Sequence, residues 1–394
     1  TLDGVHLYLY PEEDPDIGDL SEWIREQAPP QARIDRIHYK KLEAADIPEG
    51  FSIAHSELEG RVNMALSPDF ALCAECRNEL LDPQNRRYQY PFITCTNCGP
   101  RFSIIQKLPY DRPFTTMEPF KQCMACAGEY DHPEDRRFYS QTNSCPECPV
   151  TLTLLDRNGA RIPGSQEEMI NILSHHLLND KILAIKGIGG YLLMADAFSE
   201  QAIRNLRARK NRPAKPFALM YPDAELAARD VVITDEVRKA WESPESPIVL
   251  CPLKPDHHPG LQVDLIAPGL EKMGVMIPYA PLFVLIMKKL QQPVIATSGN
   301  ISGSPVIYRD DKALEDLGGV ADLFLINDRE IVVPQDDSVV QFSPFSQTGI
   351  ILRRARGMAP GLSISRDLHM DRPVFAAGAM LKSSFGMYHE GRYY

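Results

Sequence analysis

Eight of the nine cysteines in this 394-residue chain fall into four CxxC pairs: Cys73/Cys76, Cys95/Cys98, Cys123/Cys126 and Cys145/Cys148. The intervals between pairs are 18, 24 and 18 residues, so the arrangement is an internal repeat. Cys73 recurs as Cys123 and Cys95 as Cys145; Glu79, Pro83 and Arg86-Arg87 recur as Glu129, Pro133 and Arg136-Arg137 at the same offset of 50. Two copies of one small unit therefore occupy 66–155. A tetrahedral zinc ion accepts four thiolates, and a CxxC turn points two sulfurs at one ion. Gly99, directly after Cys98, suits the positive φ that closes such a knuckle. The eight cysteines make two four-thiolate zinc sites with none left over. The spacing leaves two pairings open: each copy closes on its own metal, which the repeat favours, or the first pair joins the fourth and the second joins the third. All-thiolate sites lack the open position of catalytic zinc, so both ions are expected to be structural. Cys251, in the apolar run PIVLCPL, reads as a small buried hydrophobe.

Thiols in metal-ligand spacing belong in a reducing compartment, and the opening TLDGVHLYLYPEED has no basic segment followed by an apolar one, so a cytoplasmic location is expected. No run of 18 apolar residues occurs, and no membrane role is expected. Hydrophobic residues make up 44% and charged residues 24%, the balance of a globular chain of several domains. The net charge is −11, and residues 1–60 alone hold 14 acids against 5 bases. Residues 73–148 carry 9 bases and 10 acids, so the fingers offer no electrostatic footprint for nucleic acid. Arg86-Arg87 and Arg136-Arg137 amount to small surface patches on this reading.

Residues 1–58 read as a small α+β piece, with strands at 5–9, 33–41 and 51–54 and a helix around Leu20, Trp23 and Ile24. After the repeats, 168–179 is an amphipathic helix and 182–186 a buried strand ending in Gly187-Ile188-Gly189-Gly190. Helix and strand patterns alternate to about residue 360, with a second buried strand at 293–297, and a strand pair follows at 374–377 and 384–388. This α/β region gathers Lys186, Lys210-Asn211-Arg212, Lys215, Ser298-Gly299-Asn300, Asp337-Ser338 and Arg353-Arg354. Fixed cations, hydroxyls, amides and glycine backbone are what a nucleoside triphosphate needs. There is no GxxxxGK[ST] and no GxGxxG, which excludes a P-loop or Rossmann site, and GxSxG and HExxH are absent too. His175-His176 and His257-His258 lack companion ligands and are expected in solvent.

The segments KGIGGYLLMADA, LRARKNRPAKPFALM, ATSGNISGSP and DDSVV…ILRRARG resemble the YrdC family, in its order. That family makes acyl-adenylates from ATP and a carbamate, and its K-x-R…S-x-N signature is matched by Lys210, Arg212, Ser298 and Asn300. The doubled finger, with CTNCGPRFSII and LPYDRPFTTM, resembles the HypF family of hydrogenase-maturation carbamoyltransferases. Residues 1–60 are similar to part of its acylphosphatase domain, and GAMLKSSFGMYHEGRYY to the start of its final, sugar-kinase-like domain.

The resemblance implies a multidomain α/β and α+β fold: a partial ferredoxin-like acylphosphatase piece (1–60), tandem zinc modules (66–155), a twisted YrdC-like α/β sheet (160–365), and the beginning of the carbamoyltransferase domain (371–394). It implies hydrolysis of carbamoyl phosphate to carbamate, adenylation of carbamate by ATP with magnesium, and transfer to the C-terminal Cys of a partner, HypE. The acylphosphatase Arg and Asn would lie before Thr1, and the metal-binding histidines of the last domain after Tyr394, so those two sites are expected to be missing here. Lys210, Arg212 and Arg353 are the expected catalytic group. Lys186, Lys215, Ser298, Asn300 and Ser338 complete the nucleotide site. The family's threonine-using members carry Thr and small polar residues where this chain has 187–190, which fits bare carbamate. The competing readings are a threonylcarbamoyl-AMP synthase serving tRNA, a zinc-dependent nucleic-acid binder, and a docking module. Complete digestion should release two zinc ions per chain to a chromophoric chelator; one or none would refute the two-site reading.

Overall fold

The computed structural model describes residues 66–361 except 302, the stretches 17–28, 37–40, 371–377, 385–389 and 392–393, and residues 7, 32 and 34. The first helix, Ile17–Glu26, carries the expected Leu20, Trp23 and Ile24 spacing. The strands expected at 5–9, 33–41 and 51–54 lie wholly or partly outside the described residues.

Eleven strands build one mixed sheet: β1 Leu152–Asp156, β2 Arg161–Ile162, β3 Leu183–Lys186, β4 Tyr191–Asp196, β5 Ala218–Met220, β6 Ile248–Pro252, β7 Lys272–Met276, β8 Val294–Ser298, β9 Leu323–Asn327, β10 Val339–Phe342 and β11 Gly349–Arg353. Their spatial order is β11-β10-β6-β7-β5-β8-β4-β3-β9-β1-β2. Pairs β3/β9, β5/β7 and β6/β10 are parallel. The apolar runs of β3 and β4 are buried at every position, as strands covered on both faces must be. The expected strands at 182–186 and 293–297 are thus β3 and β8.

On one face lie helices Gln166–Leu177 and Pro281–Leu290. The first starts at a capping box in which Ser165 and Glu168 satisfy each other's backbone N–H. The second is apolar nearly all round and buries every residue except Lys288 and Lys289. The opposite face packs helices Glu200–Arg209, Asp235–Glu242 and Asp310–Leu317 around Trp241, Phe217 and Phe324. Beyond the sheet, β12 Val374–Ala377 and β13 Phe385–His389 form the expected antiparallel pair, extended by β14 Arg392–Tyr393.

The first finger has no separate core. Leu80, Tyr90, Phe92 and Ile93 pack in one cluster with Phe283 and Leu285 of the sheet domain. Backbone bonds fix the joint: Ala71 N donates to Pro244 O at 2.8 Å, Leu72 N to Tyr279 O at 2.9 Å and Val332 N to Ser103 O at 2.7 Å. Leu80→Ala should therefore cost about 2–5 kcal/mol and lower the urea midpoint reported by Trp241 fluorescence, although Trp241 lies in the other layer. An unchanged Trp241 midpoint would show finger and sheet unfolding independently.

Candidate functional site

The sulfurs settle the pairing. Cys73, Cys76, Cys95 and Cys98 form one group and Cys123, Cys126, Cys145 and Cys148 the other, with ligand atoms within 4.8 Å of one another in each. Each copy closes on itself, and the interleaved alternative is excluded. Sulfur separations are 3.6 Å for Cys73–Cys95, 3.8 Å for Cys95–Cys98 and 3.7 Å for Cys123–Cys145. A tetrahedral zinc with bonds of about 2.3 Å spaces its thiolates by about 3.8 Å, so both sets fit the ion. Two short helices, Ala74–Leu81 and Met124–Asp131, start at Cys73 and Cys123 and aim the second cysteine of each pair inward. Gly99 has φ +91°, and a Cβ there would stand 2.4 Å from Thr94 Cγ2, so the knuckle needs the glycine. Cys251 is fully buried in the sheet core, and burial pushes its thiol up to about 12, as an inert cysteine requires.

The paired arginines are not surface patches. Each pair crosses to the other finger. Arg86 Nη2 donates to Cys126 Sγ at 3.2 Å, and Arg136 Nη2 to Cys76 Sγ at 3.2 Å. Arg87 Nε donates to Ser144 O and Arg137 Nε to Thr94 O, both at 3.0 Å. Arg87 forms an ion pair with Glu129 and Arg137 with Glu79, and Arg87 and Arg137 are 2% and 4% exposed. The spacing of 50 in sequence becomes a pseudo-twofold axis in space, with each finger's arginine pair spent on its twin. Burial pushes the Glu129 carboxyl up, but hydrogen bonds from Arg87 and Arg86 outweigh it and hold the group down at about 2. Its stabilising effect is complete above the ordinary carboxylate pKa of about 4.3 and fades as pH falls toward 2.

The second cluster lies where strands end. Lys186 closes β3, Ser298 closes β8 and Asn327 closes β9, at the carboxyl ends where open α/β sheets bind ligands. Lys210, just past helix Glu200–Arg209, is buried and donates to Ser298 O and Asn300 O at 2.7 Å and to Asn300 Oδ1 at 2.9 Å. Ser298 Oγ also reaches Asn300 Oδ1, at 3.0 Å. The structure thus joins Lys210, Ser298 and Asn300 in one knot. An ammonium has three protons, and this one uses them to shape the 298–300 turn. Gly299 N donates to Tyr191 O at 2.6 Å, which lays that turn on the end of the glycine segment.

Arg353, at the end of β11, bonds Asp337 O at 2.6 Å and Asp336 Oδ2 at 3.1 Å. Arg212 is half-buried, bonded to Lys215 O and Pro216 O, and its guanidinium lies 4.9 Å from the Phe217 ring centroid. Burial, then the charge of Arg207, pulls it down to about 10; Asp336 opposes this and Arg353 adds to it. Arg353 and Asp336 thus act on Arg212 with opposite sign. Lys215 is exposed beside them. Gly189, Gly190, Ser298, Asp336 and Asp337 line a small cleft.

Two expected residues sit apart from the knot. Lys186 is buried at 2.9 Å from Asp310 Oδ1 and 2.9 Å from Asn327 O, with Tyr191 OH donating to the same carboxylate at 2.7 Å. The Ser338 hydroxyl donates to Arg356 O and accepts from Ala355 N, each at 2.8 Å, entirely out of solvent. Sequence reasoning passed over Asp310 and Arg356. The latter, fully buried, bonds Asp337 Oδ1 at 2.8 Å and lies 3.5 Å above the Tyr279 ring. His175 and His258 are exposed as expected, whereas His176 and His257 are half-buried against the carbonyls of Ile172 and Lys254. No histidine joins a metal-type cluster among the described residues. No helix among the described residues is long and apolar enough to cross a membrane.

Known proteins share this architecture. A family model described as "HypF finger" matches residues 72–105 and 123–155, and one described as "Telomere recombination", which groups Sua5, YciO and YrdC, matches 175–355. Carbamoyltransferase HypF of Rhodobacter capsulatus is 42% identical over 378 residues, 96% of this chain and 49% of that protein. A crystal structure of full-length HypF in the phosphate- and nucleotide-bound form superposes with a TM-score of 0.85 at 39% identity, covering 94% of this chain and 47% of that one. The HypF of T. kodakarensis superposes at 0.80 with 35% identity, covering 96% and 47%. The chain spans about half the length of the relatives it matches. Glu79→Gln and Glu129→Gln should each strand a buried arginine and lower stability by about 3 kcal/mol in urea titration; no loss from either would show that the crossed pairs are incidental.

Proposed function

We propose that this chain works as the HypF carbamoyltransferases do, about half of whose length it spans, and that its α/β region activates carbamate with ATP as a carbamoyl-adenylate. A carbamate oxygen attacks the α-phosphorus, the bond from that phosphorus to the bridging oxygen breaks, and pyrophosphate leaves with the electron pair. No protein nucleophile is consumed, so the work is positioning and neutralising charge. The observation that carries the reading is the turn at 298–300, clamped by Lys210 beside a cleft that Gly189, Gly190 and Ser298 line, with Arg353 held by Asp336 and Asp337 of the same cleft wall.

In this scheme Arg212, Lys215 and Arg353 meet phosphate oxygens, and Ser298 and Asn300 supply neutral donors. Lys210 holds the turn in place and adds its charge. Lys186 stands at the substrate end, and Ser338 steadies the strand that carries Arg353's partner carbonyl. Magnesium accompanying ATP would neutralise phosphate charge beside Arg212, Lys215 and Arg353. Carbamate is favoured over a carbamoylated amino acid because the glycine segment is closed on itself: a Cβ at Gly189 would stand 2.6 Å from Gln335 O, and one at Gly190 2.6 Å from Val306 Cγ2.

The flanking steps are part of the same proposal. Carbamate derives from carbamoyl phosphate, and the carbamoyl group passes to the C-terminal cysteine thiolate of HypE, releasing AMP. The reduced thiols of both fingers fit work in the cytoplasm. The fingers serve as architecture, since their zinc sites are closed and their cations face one another.

ATP–pyrophosphate exchange tests this. The chain should exchange label with bicarbonate plus ammonia as the source of carbamate, and not with bicarbonate plus threonine. Lys210→Ala and Arg353→Ala should each lower the rate by about 10²-fold or more. Full exchange in both variants would overturn the site assignment, and exchange only with threonine would overturn the substrate.

A further inference from the structure

One buried cation takes no part in any of this. Arg329 follows the end of β9, is 6% exposed, and makes no hydrogen bond and no ion pair among the described residues. Its only close polar-type contact there is the Phe92 ring, 5.4 Å away. Every other deeply buried arginine in the fingers and sheet has partners: Arg87 and Arg137 have glutamates, Arg207 has five carbonyls, at 212, 213, 215, 265 and 266, and Arg356 has Asp337. An unpaired guanidinium away from water is costly, and burial pulls Arg329 below its ordinary value. Asp69 and Asp328 pull the other way, but neither comes within ion-pair distance.

Arg329 lines a chamber between the first finger and the sheet, walled by Phe92, Leu282, Phe283 and the stem of Lys186. The chamber's volume is about 30 Å³, room for about two or three waters. A group of that size has about three heavy atoms. Lys186 is already paired with Asp310, so Arg329 is the one cation of the lining without a partner among the described residues, and Cys98 of the first four-thiolate site belongs to the same lining. The chamber touches Gly187 and Ile188, the nucleotide cleft touches Gly189 and Gly190, and both touch Tyr279. One four-residue segment separates them.

We propose that Arg329 anchors a binding site for a small planar oxyanion of the carboxylate class, held in this chamber on the finger side of the glycine segment. The planar fork of a guanidinium matches two oxygens of such an anion, and apolar walls keep water from competing. Its position makes it a waiting site for the carbamate adenylated next door. That identity rests on the adenylation reading; the anion site does not.

Sodium formate, a planar carboxylate of the right size, is the probe. Calorimetric titration into the intact chain without ATP should show saturable binding, displaced by bicarbonate and only weakly by an equal concentration of chloride. Arg329→Gln should weaken it by about tenfold or more, the loss of one charge-assisted contact, and Arg329→Lys should weaken it less. In crystals of the wild-type chain soaked in bromide, an anomalous peak should lie against the Arg329 guanidinium, which decides the matter even if Arg329→Gln does not fold. No formate binding, binding unaffected in a folded Arg329→Gln chain, or no bromide at Arg329 overturns the site. Arg329-dependent formate binding in a chain that shows no pyrophosphate exchange would leave the anion site standing and overturn the adenylation reading alone.

Discussion

Four thiolates around one divalent ion leave a net charge of about −2 in a small volume, and two such centres lie side by side in this chain. Everything around them answers that charge. Each finger is too small to supply enough buried cations of its own, so each lends an arginine pair to its twin. Arg86 and Arg136 touch the opposite sulfurs, while Arg87 and Arg137 reach the opposite glutamates and carbonyls. Glu79 and Glu129 each pair with both arginines of the opposite finger, and Arg87 also reaches Cys126 Sγ at 3.5 Å. The repeat is therefore a self-complementary interface folded into one chain, in the manner of an isologous dimer.

From that rigid pair the order extends into the sheet. Asp69, fully buried at the entrance to the first finger, accepts hydrogen bonds from Arg101 N at 2.6 Å, from Ser103 N and Oγ at 3.0 Å each, and from Gln335 Nε2. Burial pushes this carboxyl up despite those bonds. Gln335 N in turn donates to Gly189 O at 2.8 Å, on the wall of the nucleotide cleft. A short chain of hydrogen bonds thus ties the zinc module to the glycine segment. The finger is a wall of the α/β domain rather than an appendage, and the chamber lined by Arg329 exists because those two parts close on each other.

The parts of the site most readable in sequence are those whose chemistry is local. CxxC spacing, the glycine after Cys98, the apolar runs of β3 and β8 and the motif containing Lys210 and Arg212 each announce themselves within a few residues. Roles that depend on a distant partner do not. Arg86-Arg87 reads as a surface patch because Glu129 lies about forty residues away, and only docking of the two fingers brings them together. Lys210 reads as a phosphate ligand, yet its protons are turned on the carbonyls of a turn some ninety residues later. Arg329 stands in NDREI with no motif at all; it gains meaning from a phenylalanine of the finger and from the carboxylates that stay out of reach.

Residue types at fixed spacing determined the metal chemistry, the doubling of the finger and the alternating strands and helices of the α/β region, since thiolate geometry and side-chain periodicity act over a few residues. Tertiary structure alone decided which sulfurs share an ion, which arginine faces which glutamate, and which buried cation goes unpaired. Those outcomes depend on charge balance and desolvation summed over groups far apart in the chain, and such sums exist only once the chain has folded.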